Sequence, residues 1–320
     1  STGSVTNEQI GVSFNGGCDL NNDHIEDLIF GSRELNGLPS SPVFVFYGRN
    51  SASWPSQGII QTSQLDGIIG FKIIPDPNNH AGWTVEFGND PKCVGDYNND
   101  GFNDLLFGCL STSVLVYGRA TWPSVITITQ SVDDSFGGVT FQAEMWAPRN
   151  EALDLNLDGH VDLVIGVPSV DSDRGHVHVI WGGRSNPLPH NMSLPVASTA
   201  QGCYLVGPPR SVWGWRTATG DINGDKHNDL LISSGNINTC TIVFSSNTVT
   251  WSLNMTYIPN SIAIVGPAAD DFGIFVSSGD INGDGFDDIF VGAYAALDDH
   301  GRVYIVFGSA SPSSFNISSR

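Results

Sequence analysis

Five copies of one acidic pattern punctuate this chain and set what it can fold into. DLNNDHIED, DYNNDGFND, DLNLDGHVD, DINGDKHND and DINGDGFDD begin at Asp19, Asp96, Asp154, Asp221 and Asp280. Each carries side-chain oxygen at its first, third, fifth and ninth places. Three carboxylates and an amide confined to one tight loop repel one another unless a hard cation sits among them, and an all-oxygen donor set suits calcium. The expected ligands are Asp19, Asn21, Asp23 and Asp27; Asp96, Asn98, Asp100 and Asp104; Asp154, Asn156, Asp158 and Asp162; Asp221, Asn223, Asp225 and Asp229; and Asp280, Asn282, Asp284 and Asp288. The backbone carbonyl of the seventh residue, Ile25, Phe102, His160, His227 or Phe286, completes each set, so the two histidines serve through their carbonyls. An EF-hand loop would place a bidentate Glu at the twelfth position. Here that position holds Phe30, Phe107, Ile165, Ile232 and Val291, which read as strand.

Successive motifs start 77, 58, 67 and 59 residues apart, and the distance from the last motif through the termini to the first is also 59. A period of this size implies one several-stranded unit per copy. Its closure in phase with itself is what a ring of five units would show, with Ser1 and Arg320 on neighbouring units and little strand exchanged across the junction.

Each ninth-place Asp leads straight into a short apolar run: LIFGS (28–32), LLFGC (105–109), LVIGVP (163–168), LLISSG (230–235) and IFVGAY (289–294). A second strand recurs at 42–49, 113–119, 176–184, 240–246 and 302–309, and a weaker third at 58–63, 125–130, 192–197, 252–258 and 315–319. These runs have strand length and are too short for helices. With a further candidate ahead of each loop, such as IGVSF (10–14), the unit reads strand, loop, strand, strand, strand.

The fifth copy, FGIFVSSGDINGDGFDDIFVGAY from Phe272 followed by GRVYIVFG from Gly301, resembles the FG-GAP family, whose repeats build the β-propeller of integrin α-subunits. Copy four has Trp213-Gly214 where copy five has Phe-Gly; copies two and three are looser. The resemblance implies an all-β propeller occupying residues 1–320 as one domain, here of five blades of four antiparallel strands rather than the seven blades of integrins. It also implies ligand contacts opposite the calcium loops, at 65–82, 131–135, 168–174, 200–212 and 294–300.

Loop quality should vary with the sixth residue, which needs positive φ. Gly101, Gly159 and Gly285 reach it freely, whereas His24 and Lys226 pay about 1 kcal/mol, which marks loops one and four as weakest. The formal net charge of −20 is mostly metal site, since 15 of 33 acidic residues are expected ligands in the loops. With 13 Lys plus Arg and no cluster of them, no nucleic-acid footprint is present, and no apolar run is long enough to span a bilayer. The start at Ser1 fits either a removed signal peptide or a piece of a longer chain.

Sequons at Asn191, Asn254 and Asn316 all fall in the weak strand segment, at the outer edge of a blade, and point to a secreted or cell-surface glycoprotein. Of five cysteines, Cys93 and Cys109 flank the second hairpin and Cys203 and Cys240 fall in the fourth repeat, which suggests those two pairs with Cys18 left over. No nucleophile elbow or zinc-protease helix is present, so the chain is not expected to be an enzyme, although propellers of this family often accompany catalytic domains. His176 and His178 share a strand face, which suits either a transition metal or a packed polar face. Trp83, Trp146, Trp213 and Trp215 suit either sugar stacking or wedges between blades. Three roles follow: an extracellular adhesion or protein-recognition module, a structural subunit of an extracellular filament or appendage, and a lectin that binds glycans.

Overall fold

A computed structural model describes residues 8–34, 42–50, 62–76, 88–109, 112–128, 137–142, 149–183, 188–267 and 270–317. The first repeat supplies β1 (Glu8–Cys18), β2 (Asp27–Glu34), β3 (Val43–Phe46) and β4 (Gly70–Pro75). The second supplies β5 (Asn89–Gly95), β6 (Asp104–Gly108), β7 (Thr112–Val116), β8 (Val125–Ile128) and β9 (Gly138–Gln142). The third supplies β10 (Arg149–Leu153), β11 (Asp162–Val167), β12 (His176–Ile180), β13 (Asn191–Ser193) and β14 (Gly202–Val206). From the fourth come β15 (Trp213–Gly220), β16 (Asp229–Ser234), β17 (Thr239–Val243), β18 (Asn254–Met255) and β19 (Ser261–Val265). The fifth has β20 (Phe272–Gly279), β21 (Asp288–Ala293), a one-turn helix (Ala296–Asp299), β22 (Arg302–Val306) and β23 (Phe315–Asn316).

Among the described residues these strands make five sheets, an all-β arrangement that fits a propeller-like fold. The orders are β1-β2-β3-β4-β8, β5-β6-β7-β9-β13, β10-β11-β12-β14-β18, β15-β16-β17-β19-β23 and β20-β21-β22. Each sheet begins as an antiparallel meander whose first hairpin carries an acidic loop. In four sheets a short fifth strand then joins in parallel and belongs to the following repeat, as Ile73 opposite Ile126 and Leu205 opposite Met255 illustrate.

The expected order of strands within one repeat is therefore corrected. The weak segment does not extend its own meander; it crosses to the outer edge of the preceding sheet. The true fourth strands, β4 and β14, lie inside 65–82 and 200–212, two of the stretches expected to make ligand contacts. Residues 58–61 and 131–135 lie outside the described residues.

The chain divides into two compact units, Ser1–Ala143 with Arg184–Ser193, and Glu144–Gly183 with Leu194–Arg320. In the first unit, sheets one and two share a core of Leu20, Ile29, Val43, Val45, Phe71, Leu105, Phe107 and Trp122. Phe71 and Trp122 stack there at 4.3 Å, with the Arg119 guanidinium over the indole. In the second unit, one core joins the third and fourth sheets through Leu155, Val179, Leu230 and Val243, and another joins the fourth and fifth through Ile222, Ile242, Phe272 and Ile289. The pattern comes from consecutive apolar residues after each ninth-place Asp. In the run Leu105-Leu106-Phe107, alternate side chains point to opposite faces, and burial of every one requires cover on both.

Cysteine pairing differs from expectation. Cys18, which was left over, bonds Cys93, with Cα atoms 5.5 Å apart. Cys93 does not face Cys109, because the β5–β6 register sets Cys93 opposite Leu105. Cys203 lies on β14 of the third sheet and Cys240 on β17 of the fourth, in separate cores. Cys109, Cys203 and Cys240 are buried free thiols.

Candidate metal centres

All five acidic loops take one conformation, and the hydrogen bonds show why the residue types recur. In the first loop the Asp23 N–H donates both to Asp19 Oδ1 (3.0 Å) and to Asn21 Oδ1 (3.1 Å). The His24 N–H donates to Asp19 Oδ2 (2.7 Å), and Asn21 Nδ2 donates to Asp23 Oδ2 (3.1 Å). The same set recurs around Asp100, Asp158, Asp225 and Asp284. Oxygens of the first and third residues thus converge on one backbone amide, within a single turn and on the solvent side.

The ninth-place aspartates are different in kind, being fully buried at the root of the loop. Asp27 accepts from Leu20 N–H through Oδ2 (2.8 Å) and from Gly48 N–H through Oδ1 (2.8 Å), which ties the loop to the end of β3. Asp104, Asp162, Asp229 and Asp288 repeat this pairing with Tyr97 and Gly118, Leu155 and Gly182, Ile222 and Ser245, and Ile281 and Gly308. Burial pushes the Asp27 carboxyl up to about 6 and those of Asp104, Asp162 and Asp229 up to about 7, against the opposing pull of these backbone donors. Neighbouring loop carboxylates push the same way. At Asp280 the Gly285 N–H leads a set of backbone donors that lower the carboxyl below its usual range.

Among the described residues no three His, Cys, Asp or Glu side chains gather closely enough to hold a metal ion. The loop carboxylates are turned onto backbone N–H groups instead. Each carboxylate oxygen nevertheless has two lone-pair directions, and the donor set of each loop, carboxylates plus an amide oxygen and a nearby carbonyl, fits a hard divalent cation.

Strain is spread more widely than the sixth residue alone suggests. His24 and Lys226 adopt φ of 67° and 72°, in the same region as Gly101, Gly159 and Gly285. The fourth residue is left-handed too, as Asn22, Asn99, Leu157, Gly224 and Gly283 all show. Leu is the costliest of these, because a branched apolar side chain offers no local hydrogen bond to offset the φ penalty. The third loop is thus strained at a position that sequence reading passed over, and the fifth, with glycine at both places, is relaxed.

Neighbouring loops are also tied together within each unit. Asn103 Nδ2, from the eighth place of the second loop, donates to the Asp19 carbonyl (3.1 Å). Asp287, from the eighth place of the fifth, accepts from Asp221 N–H (2.9 Å) and its own N–H donates to the Asp221 carbonyl (2.8 Å). The His160 ring lies against Gly183, where an added Cβ would meet it at 2.1 Å, so the imidazole is turned onto the next turn.

The remaining candidates resolve as follows. His178 is buried between His176 and Tyr204, with ring centroids 5.8 and 5.7 Å away, and burial drives its imidazole down to about 3. This is a packed aromatic face. Trp213 is buried in the core with its Nε1 donating to Thr241 Oγ1 (3.2 Å), so it fills a wedge; Trp215 is partly exposed. Trp83 and Trp146 lie outside the described residues. Asn191, Asn254 and Asn316 are all exposed and all sit on crossing strands at sheet edges. Within the connection 168–174, Asp171, Ser172 and Asp173 are three consecutive left-handed residues.

The chain is 27% identical over 175 residues to the phosphatidylinositol-glycan-specific phospholipase D of Bos taurus and 33% identical to that of Homo sapiens. Each alignment covers 49% of this chain and 19% of the relative, so the matched stretch is about a fifth of those proteins. These relatives bear the name of an enzyme, which weighs against a firm exclusion of catalysis. A solved lectin structure from Agrocybe aegerita, described as recognising non-reducing terminal N-acetylglucosamine, aligns over 98% of this chain and 67% of its own, with a TM-score of 0.44 and 14% identity. No described helix is long and apolar enough to cross a membrane. The FG-GAP repeat model matches residues 272–306, from the first strand of the fifth sheet through its acidic loop to the end of β22, so the fifth repeat of this chain has the pattern of an FG-GAP repeat.

Proposed function

We propose that this chain is an extracellular calcium-binding recognition module, in which the metal stiffens the first hairpin of each repeat and the connections at the other ends of the strands meet a protein partner. The observation that carries the reading is the fivefold recurrence of one loop geometry, with oxygens of its first and third residues converging on the fifth-residue amide. Calcium would be held by the first, third, fifth and ninth side chains with the seventh carbonyl, and five ions would halve the net charge of −20. When bound, the cation supplies charge neutralisation and a cross-link within each loop. The protein's own part is to hold the loop root through the buried ninth-place Asp and to present rigid strand ends.

Strain at Asp171, Ser172 and Asp173 supports a contact role for that connection, since left-handed non-glycine residues concentrate at binding sites. Terbium luminescence tests the metal reading: signal that calcium displaces and magnesium does not is expected, and absence of any sensitised signal would refute it.

A second reading follows from the named relatives: the chain is a non-catalytic module of the kind that accompanies a phosphatidylinositol-glycan phospholipase D. Incubation of the chain with a phosphatidylinositol-glycan substrate should release no product. Measurable hydrolysis would make it an enzyme in its own right.

A further inference from the structure

The fourth and fifth acidic loops are joined through one peptide group. The Asp287 N–H that donates to the Asp221 carbonyl (2.8 Å) belongs to the same planar peptide as the Phe286 carbonyl, the expected seventh-place ligand of the fifth loop. Asp287 also accepts from the Asp221 N–H through Oδ2 (2.9 Å). Both polar groups of the Asp221 backbone are therefore held by a single residue of the next loop. The Phe286 ring lies on the fourth loop as well, since a Cβ added at Gly224 would meet it at 2.4 Å.

Asp221 is the residue around which the fourth loop is built. Its Oδ1 accepts from the Gly224 N–H (2.7 Å) and the Asp225 N–H (3.0 Å), and its Oδ2 accepts from the Lys226 N–H (2.8 Å). A turn of the Phe286–Asp287 peptide shifts the Asp221 backbone, and that shift moves both oxygens on which the loop is folded. In the first unit the link between loops is thinner: Asn103 reaches the Asp19 carbonyl through its side-chain amide (3.1 Å). Asp287, at the eighth place, is not an expected ligand of its own loop, and its carboxylate serves the neighbouring one.

We propose that the fourth and fifth loops form a coupled pair, in which filling either one raises the affinity of the other, with Asp287 as the positioning residue between them. The proposal rests on the calcium reading given above. Ordering the fifth loop fixes the Phe286–Asp287 peptide and with it the Asp221 backbone, so the fourth loop has less left to order when it binds in turn. Coupling of this kind is reciprocal and typically changes affinity by about 5-fold to 150-fold.

Hydrogen exchange of the full chain during a calcium titration, read by mass spectrometry, follows each loop as its own peptide. The segment 221–229 should gain protection at a calcium midpoint that Asp284→Ala, in the fifth loop, raises by about fivefold or more. Asn282→Ala replaces that variant should circular dichroism show that it fails to fold. In an Asp287→Ala background, which lacks the carboxylate bond to Asp221, the shift should shrink. Asp287→Asn, whose amide oxygen still accepts from the Asp221 N–H, should restore it. The segment 96–104, around the second loop, should respond to none of these changes. A midpoint of 221–229 indifferent to Asp284→Ala, a shift undiminished by Asp287→Ala, a loss that Asp287→Asn does not repair, or an equal shift at 96–104 would each overturn the coupling and leave the calcium reading standing. Failure of every loop to gain protection with calcium would instead overturn the calcium reading, and the coupling with it.

Discussion

At the scale of single residues, the acidic loops balance local strain against oxygen placement. Asn at the fourth place tolerates left-handed φ because its short polar side chain bonds locally, and Leu157 has no such recourse. Leu157→Gly should therefore stabilise the chain by about 0.5–1 kcal/mol, read as a raised urea midpoint with an unchanged slope. The fifth loop, relaxed at both left-handed places, should hold metal best. In calcium, Asp284→Ala should lower the melting temperature more than Asp23→Ala, and chelation should remove the difference.

His178 gives a pH signature. Its folded value of about 3 lies below the ordinary 6.5, so the fold favours the neutral ring. The resulting stability is complete above about 6.5 and is lost as pH falls from there toward 3, with a slope of up to about 1.4 kcal/mol per unit. The groups around it are His176 on its own strand, Tyr204 on β14, and Asp171 and Arg174 beside His176. His178→Phe should flatten the fall of melting temperature between pH 6.5 and 4, and an unchanged acid limb would show that the ring does not drive it.

Elements were legible in the sequence where composition alone defines them. The acidic loops, the apolar run after each ninth-place Asp and the following strand were read at nearly their observed bounds, because turn chemistry and apolar runs are local signals. Pairing was not legible. The segment at Val125–Ile128 reads as a strand, but nothing in its four residues says that Lys72 through Pro75, from the repeat before, will be its partner. The fourth strands were missed for a related reason: GFKIIP (70–75) and GCYLV (202–206) are short and begin with glycine, and Lys72 interrupts the apolar run of the first. Cysteine pairing failed because Cys18 and Cys93 meet across sheets, where separation along the chain carries no information.

Two tests belong to these elements. Met255 on a crossing strand is buried in the neighbouring core, so Met255→Ala should cost about 2–3 kcal/mol in denaturant unfolding, far more than an edge residue would. The Cys18–Cys93 bond closes a separation of 75 residues, and its removal by Cys18→Ser should cost about 4 kcal/mol in the chain-entropy account. Cys203→Ser and Cys240→Ser act by a different route, placing a hydroxyl among apolar side chains, and reducing agent should not mimic them.

At the scale of the whole molecule, five similar sheets carry five similar loops, and each loop root is a buried carboxylate held by two backbone donors. Those carboxylates and their loop neighbours account for most of a net charge of −20, a concentration of like charge that a folded chain tolerates better with cations than without. Binding to the folded state alone contributes about 2.7 kcal/mol per site at a hundredfold excess over Kd, so five such sites near saturation would together match a stability of ordinary size, about 5–15 kcal/mol. Thermal unfolding with and without excess EDTA, paired with metal analysis of the same samples, tests this most directly. The account predicts up to five calcium ions per chain and a melting temperature that drops markedly on chelation and returns when calcium is restored. A chain that carries no calcium and melts identically in EDTA would contradict it.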